Sequence, residues 1–157
     1  MSKALFREEQ RLAAWIFMLV IGSGASVLIF VPFAPRQAAT VLWITAFVAM
    51  LPAVLLYLMK LMVEVEPGLI RVRFVPFVNR TIQITELESW EACTYDPLGD
   101  YGGWGIRWGL RGLGKNRAYN ARGNRGVQLV FKNGDRVLIG SQRPEDLAQA
   151  ITNASVQ

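Results

Sequence analysis

Leu12-Ala13-Ala14-Trp15-Ile16-Phe17-Met18-Leu19-Val20 opens an uncharged apolar run that continues to Pro35, and past Arg36 a second run extends from Gln37 to Met59. A hydrocarbon core about 30 Å thick is crossed by roughly 20 apolar residues as helix, and about 18 or more without charge mark a spanning candidate. Both runs meet that criterion. The sequence therefore predicts a transmembrane helical hairpin in residues 1–61, with spans over about 12–34 and 38–59, followed by one water-facing domain in residues 62–157. The first run is too long for a cleaved signal segment, whose apolar region covers only about 7 to 15 residues.

Orientation follows from the basic residues that flank the runs, because positively charged loops stay cytoplasmic. Lys3, Arg7 and Arg11 precede the first run, Lys60, Arg71 and Arg73 follow the second, and only Arg36 lies between them. Both termini are expected in the cytoplasm of a multi-pass inner-membrane protein. Pro32 and Pro35 end the first helix by removing backbone donors. Gly22 and Ser26 have the spacing that lets helix backbones approach closely, either against the second helix or in self-association. No Asp, Glu, Lys, Arg or His falls within either run, so the sequence lacks the usual mark of a proton or ion path.

After Met62 the pattern becomes alternating. Val63 and Val65, then Ile70, Val72 and Phe74, are apolar at every second position around the turn pair Pro67-Gly68, which is a hairpin signal. Further strands are expected over Thr81–Ile84, Ser89–Tyr95, Gly103–Trp108 and Arg117–Ala121. The clearest hairpin joins Val127–Lys132 to Arg136–Gly140 through Asn133-Gly134-Asp135, since Asn-Gly favours a turn with positive φ. Pro144 then suits the first turn of a helix, Glu145 and Asp146 complement its dipole, and Leu147, Ala150 and Ile151 form its apolar stripe.

Four segments carry a resemblance: Tyr101-Gly102-Gly103-Trp104-Gly105-Ile106-Arg107, Ala118-Tyr119-Asn120, Gly123-Asn124-Arg125-Gly126-Val127-Gln128-Leu129 and Ile139-Gly140-Ser141-Gln142-Arg143-Pro144-Glu145. They resemble a group of bacterial membrane proteins of uncharacterised function that place a pleckstrin-homology-like domain after two membrane helices. The resemblance covers nearly the whole chain. It implies an α+β membrane protein whose C-terminal part is a small, partly open antiparallel β-barrel of about seven strands, plugged at one end by the terminal helix. It brings no reaction, ligand or catalytic residue. Trp108 to Asn116 is longer and more basic than the connection the resemblance leads one to expect.

The chain carries a net charge of +5, unevenly placed. Between Asp100 and Asp135 there is no carboxylate, whereas Arg107, Arg111, Lys115, Arg117, Arg122, Arg125 and Lys132 all lie there, interleaved with Tyr101, Trp104, Trp108 and Tyr119. Juxtamembrane Lys and Arg contribute about 1 kcal/mol each toward anionic lipid, and Trp settles at the headgroup level. Trp104, Arg107, Arg111, Lys115, Arg117, Arg122 and Arg125 are therefore the candidate contacts to lipid headgroups or a protein partner. The same charges could instead set topology and solubility, pair with Glu86, Glu88, Glu91 or Glu145, or meet another acidic protein. Nucleic acid is the least favoured partner, because no recognition-module signature accompanies the basic residues. Arg143, just before the terminal helix, reads first as a structural clamp.

Catalysis finds little support. The chain has no histidine, and its one cysteine, Cys93, reads as an ordinary small apolar strand residue. No metal-ligand spacing and no complete phosphate-binding glycine motif is present. No cofactor is expected. The sequence thus points to a non-enzymatic interaction module for anionic headgroups or another membrane protein. The alternative is a structural subunit of a membrane homo- or hetero-oligomer without a ligand.

Overall fold

A computed structural model describes residues 4–12, 14–29, 31–33, 35–109 and 116–156. The chain divides into a helical unit, Leu12–Met59, and a strand unit made of Met1–Arg11 and Lys60–Gln157.

In the helical unit, α1 (Ala14–Leu28) and α2 (Arg36–Leu58) pack on each other. Gly24 and Ala46 are the buried positions among their described side chains, while Gly22 and Ser26, expected to allow close approach, are exposed. A methyl group added at Gly22 would meet nothing within 4 Å. Much of the described surface is apolar: Met18, Trp43, Ile44, Phe47, Leu51 and Val54 are all more than half exposed.

The expectation of two membrane spans is corrected here. Among the described residues no helix is long and apolar enough to cross a membrane. α1 has 15 residues, about 22 Å at 1.5 Å per residue, against a hydrocarbon core of about 30 Å. α2 has 23 and opens on Arg36 and Gln37. The assignment of a transmembrane hairpin, and with it of a multi-pass inner-membrane protein with both termini in the cytoplasm, is not supported.

The strand unit contains two sheets. The first has the order β1 (Phe6–Arg11), β2 (Lys60–Glu66), β3 (Leu69–Val75), β4 (Val78–Gln83), all antiparallel. β1 reads as a charged flank in the sequence, yet Phe6, Glu8 and Gln10 alternate inward against Val65, Val63 and Leu61. Arg7 turns the other way and pairs at 3.3 Å with Glu64, which also takes Arg73 at 3.2 Å. Arg7 is thus a cross-strand partner rather than a loop charge that sets topology.

The second sheet contains β5 (Leu87–Thr94), β6 (Gly105–Trp108), β7 (Asn116–Asn120), β8 (Arg125–Phe131) and β9 (Arg136–Gly140) in the order β5-β8-β9-β7-β6. β7 and β9 run parallel, and every other pair is antiparallel. A short helix, α3 (Pro97–Tyr101), precedes β6, and α4 (Pro144–Ser155) ends the chain. Leu147, Ala150, Ile151 and Ala154 of α4 are buried, and the helix packs against β1, β2, β5 and β8. The core between them is formed by Val63, Val72, Phe74, Val127, Leu129 and Ile139, all fully buried.

The expected barrel of about seven strands is also corrected. Among the described residues nine strands form two open sheets with margins at β1, β4, β5 and β6. A barrel requires a hydrogen-bonded circuit with no margins. The β6–β7 hairpin prevents one by adding itself to the free side of β9, which puts β6 at a margin of its own.

Candidate functional site

The basic residues between Asp100 and Asp135 reach the surface in separate places. Arg107 and Trp108 sit on β6 opposite Ala118 and Arg117 of β7. Successive strand residues face opposite sides, so Arg107 and Arg117 lie on opposite faces of the hairpin. The Arg117 guanidinium stands 4.2 Å from the centre of the Trp108 ring, which stays 54% exposed. Arg122 lies past the far end of β7, in the turn before β8, and Arg125 is the first residue of β8. From Arg117 to Arg122 an extended chain covers about 16 Å. Arg111 and Lys115, also candidates, lie outside the described residues.

Two candidates act within the fold. Trp104 is half-buried, and its indole N–H donates to the Gly123 carbonyl at 2.9 Å, tying the approach to β6 onto the turn before β8. Its own carbonyl accepts from Arg107 Nε at 3.1 Å, which holds that side chain beside β6. Arg125 is exposed and paired with Glu145 on α4, one of the carboxylates the sequence offered it. Arg122 is exposed, and its carbonyl accepts from Gln142 Nε2 at 3.2 Å. Arg117 is therefore the described candidate that combines exposure with an exposed aromatic ring, and Arg107 is exposed on the opposite face of the same strand pair.

The hairpin rests on a row of residues that cannot be enlarged. Gly126 is the register partner of Gly140 across β8 and β9, and Gly105 that of Asn120 across β6 and β7. A Cβ on Gly126 would lie 2.4 Å from the Ile139 carbonyl oxygen, and one on Gly140 would lie 2.9 Å from Asn120 Cβ. Gly105 has φ +116, and its N–H donates to Asn120 Oδ1 at 2.9 Å. Tyr101 packs from α3 onto Ala118 and Leu138, with its ring edge-on to Tyr95 at 5.9 Å. Burial pushes the hydroxyls of Tyr95 and Tyr101 above the ordinary tyrosine value. Cys93 packs in the same cluster, and burial raises its thiol too, which disfavours a nucleophilic thiolate.

Sequence reasoning missed a second polar centre, where Glu8 is buried at 8% exposure. Its carboxylate accepts from Ser141 Oγ at 2.6 Å, the Gln142 backbone N–H at 2.8 Å and Gln10 Nε2 at 2.9 Å. Gln10 Nε2 also donates to the Gly140 carbonyl at 3.0 Å. Arg143 donates to the Arg7 carbonyl at 3.2 Å and lies 5.0 Å from the centre of the Phe6 ring. These bonds clasp β1 to the connection between β9 and α4. The available signal was the alternation Phe6, Glu8, Gln10, which becomes visible once β1 is read as a strand. A buried carboxylate with this many donors is a structural anchor.

Among the described residues no group of three or more His, Cys, Asp or Glu could hold a metal ion. What the geometry offers chemically is the strand pair β6 and β7, carrying exposed Arg107 and Arg117 and one exposed indole. No protein-family description, curated protein or solved structure matches the chain, so its likeness to the two-helix, pleckstrin-homology-like group stands on the four quoted segments alone.

Proposed function

We propose that the strand unit is a non-enzymatic interaction module that docks on anionic lipid headgroups through the β6–β7 hairpin. The observation that carries this reading is Trp108, 54% exposed with Arg117 over its ring, while Arg107 is exposed on the other face of the same strand pair. An indole left in water beside a guanidinium group suits a headgroup layer, where the ring contacts acyl boundaries and the cations meet phosphate. The local absence of carboxylates from 101 to 134 removes competing partners along the chain. The test compares full-length protein with its Arg107→Gln/Arg117→Gln variant on vesicles of neutral lipid and of neutral lipid doped with phosphatidylglycerol. The native chain should prefer the anionic vesicles in a salt-sensitive manner. Removing two charges should reduce that preference about thirtyfold, at about 1 kcal/mol per arginine. Equal binding to both vesicle types, or indifference to salt, overturns the reading.

A second reading follows from the helical unit. Met18, Trp43 and Phe47 are 67%, 58% and 70% exposed, and apolar surface on this scale marks a contact region. On this reading the helices make the chain a subunit of a larger assembly. Size measurement in non-ionic detergent, at falling detergent-to-protein ratio, should show defined oligomers. A chain that remains monomeric, or that associates only with lipid, removes it.

A further inference from the structure

The five-stranded sheet is electrically polar from margin to margin. At one margin lies β5, with Glu88 and Glu91 exposed, in a segment with no Lys or Arg between Arg80 and Arg107. At the other lies β6, where Arg107 and the neighbouring Arg117 are exposed, in a segment with no Asp or Glu between Asp100 and Asp135. Among the described residues, none of these four side chains forms a salt bridge. A strand at a sheet margin also presents backbone N–H and C=O groups without a strand partner, which is a template for pairing with another chain.

We propose that the β5 margin of one copy receives the β6 margin of a second copy, so that the sheet continues head to tail between molecules. The occupant is identified by charge: the acidic margin fits a basic strand, and this chain supplies one at the opposite end of the same sheet. Two unlike surfaces in contact make the interface heterologous, which yields a ring when the rotation closes and an open file when it does not. β6 has only four residues, so the backbone ladder is short and the contact depends on the charges and on salt. The inference rests on the reading of β6–β7 as a receiver of negative charge. It adds that self-association and lipid docking use the same arginines and exclude each other.

The experiment uses the full chain in non-ionic detergent, sized by light scattering at low and high salt. Two variants reverse one margin each: Glu88→Lys/Glu91→Lys and Arg107→Glu/Arg117→Glu. The native chain should form salt-sensitive assemblies, and each variant alone should associate at least about tenfold more weakly, because like charges then face each other. An equimolar mixture of the two should recover the native assembly, since each acidic margin again finds a basic one. Recovery also shows that both variants are folded. A native chain that is monomeric throughout, variants that match it in size, or a mixture that fails to recover would each overturn the proposal. The lipid reading fails separately, through a native chain without anionic preference on vesicles. The Glu88→Lys/Glu91→Lys variant should keep that preference while losing self-association.

Discussion

Phe47 and Phe74 are the same residue in two regions that obey different rules. Phe47, on α2, is 70% exposed, and Phe74, on β3, is fully buried. Around Phe74 every second residue is apolar, so the strand has one face for a core and one for water. Around Phe47 the helix is apolar on all sides, and one neighbouring helix can cover only a stripe of it. Apolar content does not therefore decide burial; what decides it is whether the period of the pattern matches the element and leaves it one polar side. Phe→Ala at the two positions tests this with the largest expected contrast. Phe74→Ala should destabilise the strand unit by about 3–5 kcal/mol, the usual range for a large core deletion. Phe47→Ala should change unfolding by no more than about 0.5 kcal/mol. Urea midpoints of the two full-length variants give the comparison, and equal shifts would mean that α2 is covered by something the chain itself supplies.

The same distinction accounts for what the sequence made legible. Alternation at Val63, Val65, Ile70 and Val72 located β2 and β3, and the Asn133-Gly134 turn is present with Gly134 at φ +84 and Asn133 Oδ1 accepting from the Asp135 N–H. α4 begins at Pro144 as its first-turn signals indicated. β1 was illegible because its inward residues include Glu8 and Gln10, whose burial depends on hydrogen-bond partners more than a hundred positions away. The parallel pairing of β7 with β9 likewise has no local signal, since Asn116–Asn120 and Arg136–Gly140 select each other only in three dimensions. Counting uncharged residues predicted two spans, but α1 stops at Leu28, before Ile29 to Pro35 could extend it. For the candidate contacts, the charge gap marked only the stretch 101–134, and it took the structure to separate Arg107 and Arg117 from Trp104 and Arg125.

Glu8 and Glu9 sharpen the comparison inside a single strand, where adjacent carboxylates face opposite sides. Glu9 is exposed and meets Lys60 at 3.4 Å; such a surface pair contributes between about 0 and 1 kcal/mol. Glu8 satisfies Ser141, Gln142 and Gln10 from a buried position. Glu8→Ala leaves those donors without an acceptor and should cost about 2–4 kcal/mol, whereas Glu9→Ala should be near neutral. Thermal melts of the pair check this, together with amide exchange at Gln142, which should become fast only in Glu8→Ala.

A pair of glycines separates the regions at a smaller scale. Gly126→Ala places a methyl 2.4 Å from the Ile139 carbonyl oxygen, and the backbone that must shift belongs to a paired strand. The expected loss is about 1–3 kcal/mol, the ordinary range for overpacking. Gly22→Ala meets nothing within 4 Å and removes a glycine from a helix interior, which should gain about 0.5–1 kcal/mol of helix stability. Opposite signs in denaturation of the two variants would confirm that the sheet is sterically closed at this row while the exposed face of α1 is open. A destabilising Gly22→Ala would show that another surface lies against α1.

The smallest effect separates the two faces of the five-stranded sheet through pH. Tyr101 of α3 and Tyr95 pack on the sheet face that carries Ala118 and Leu138, and burial raises both above the ordinary value of 10.0, with Asp100 adding to the rise at Tyr101. Cys93 in the same cluster is raised from 9.0, again by burial first. Each group holds its proton longer in the folded chain than in the unfolded one. The folded state therefore binds more protons above the unfolded values, and stability falls as pH rises. The contribution is complete below 9.0 and is lost as pH climbs past 9.0 and then 10.0, first through the thiol and then through the phenols. Cys93→Ser should delay the onset of the decline, and Tyr101→Phe should flatten its upper part, in urea midpoints followed across that range. A midpoint that rises with pH there, or that ignores both substitutions, would mean that α3 does not shield this face from water and that the hairpin's floor is open.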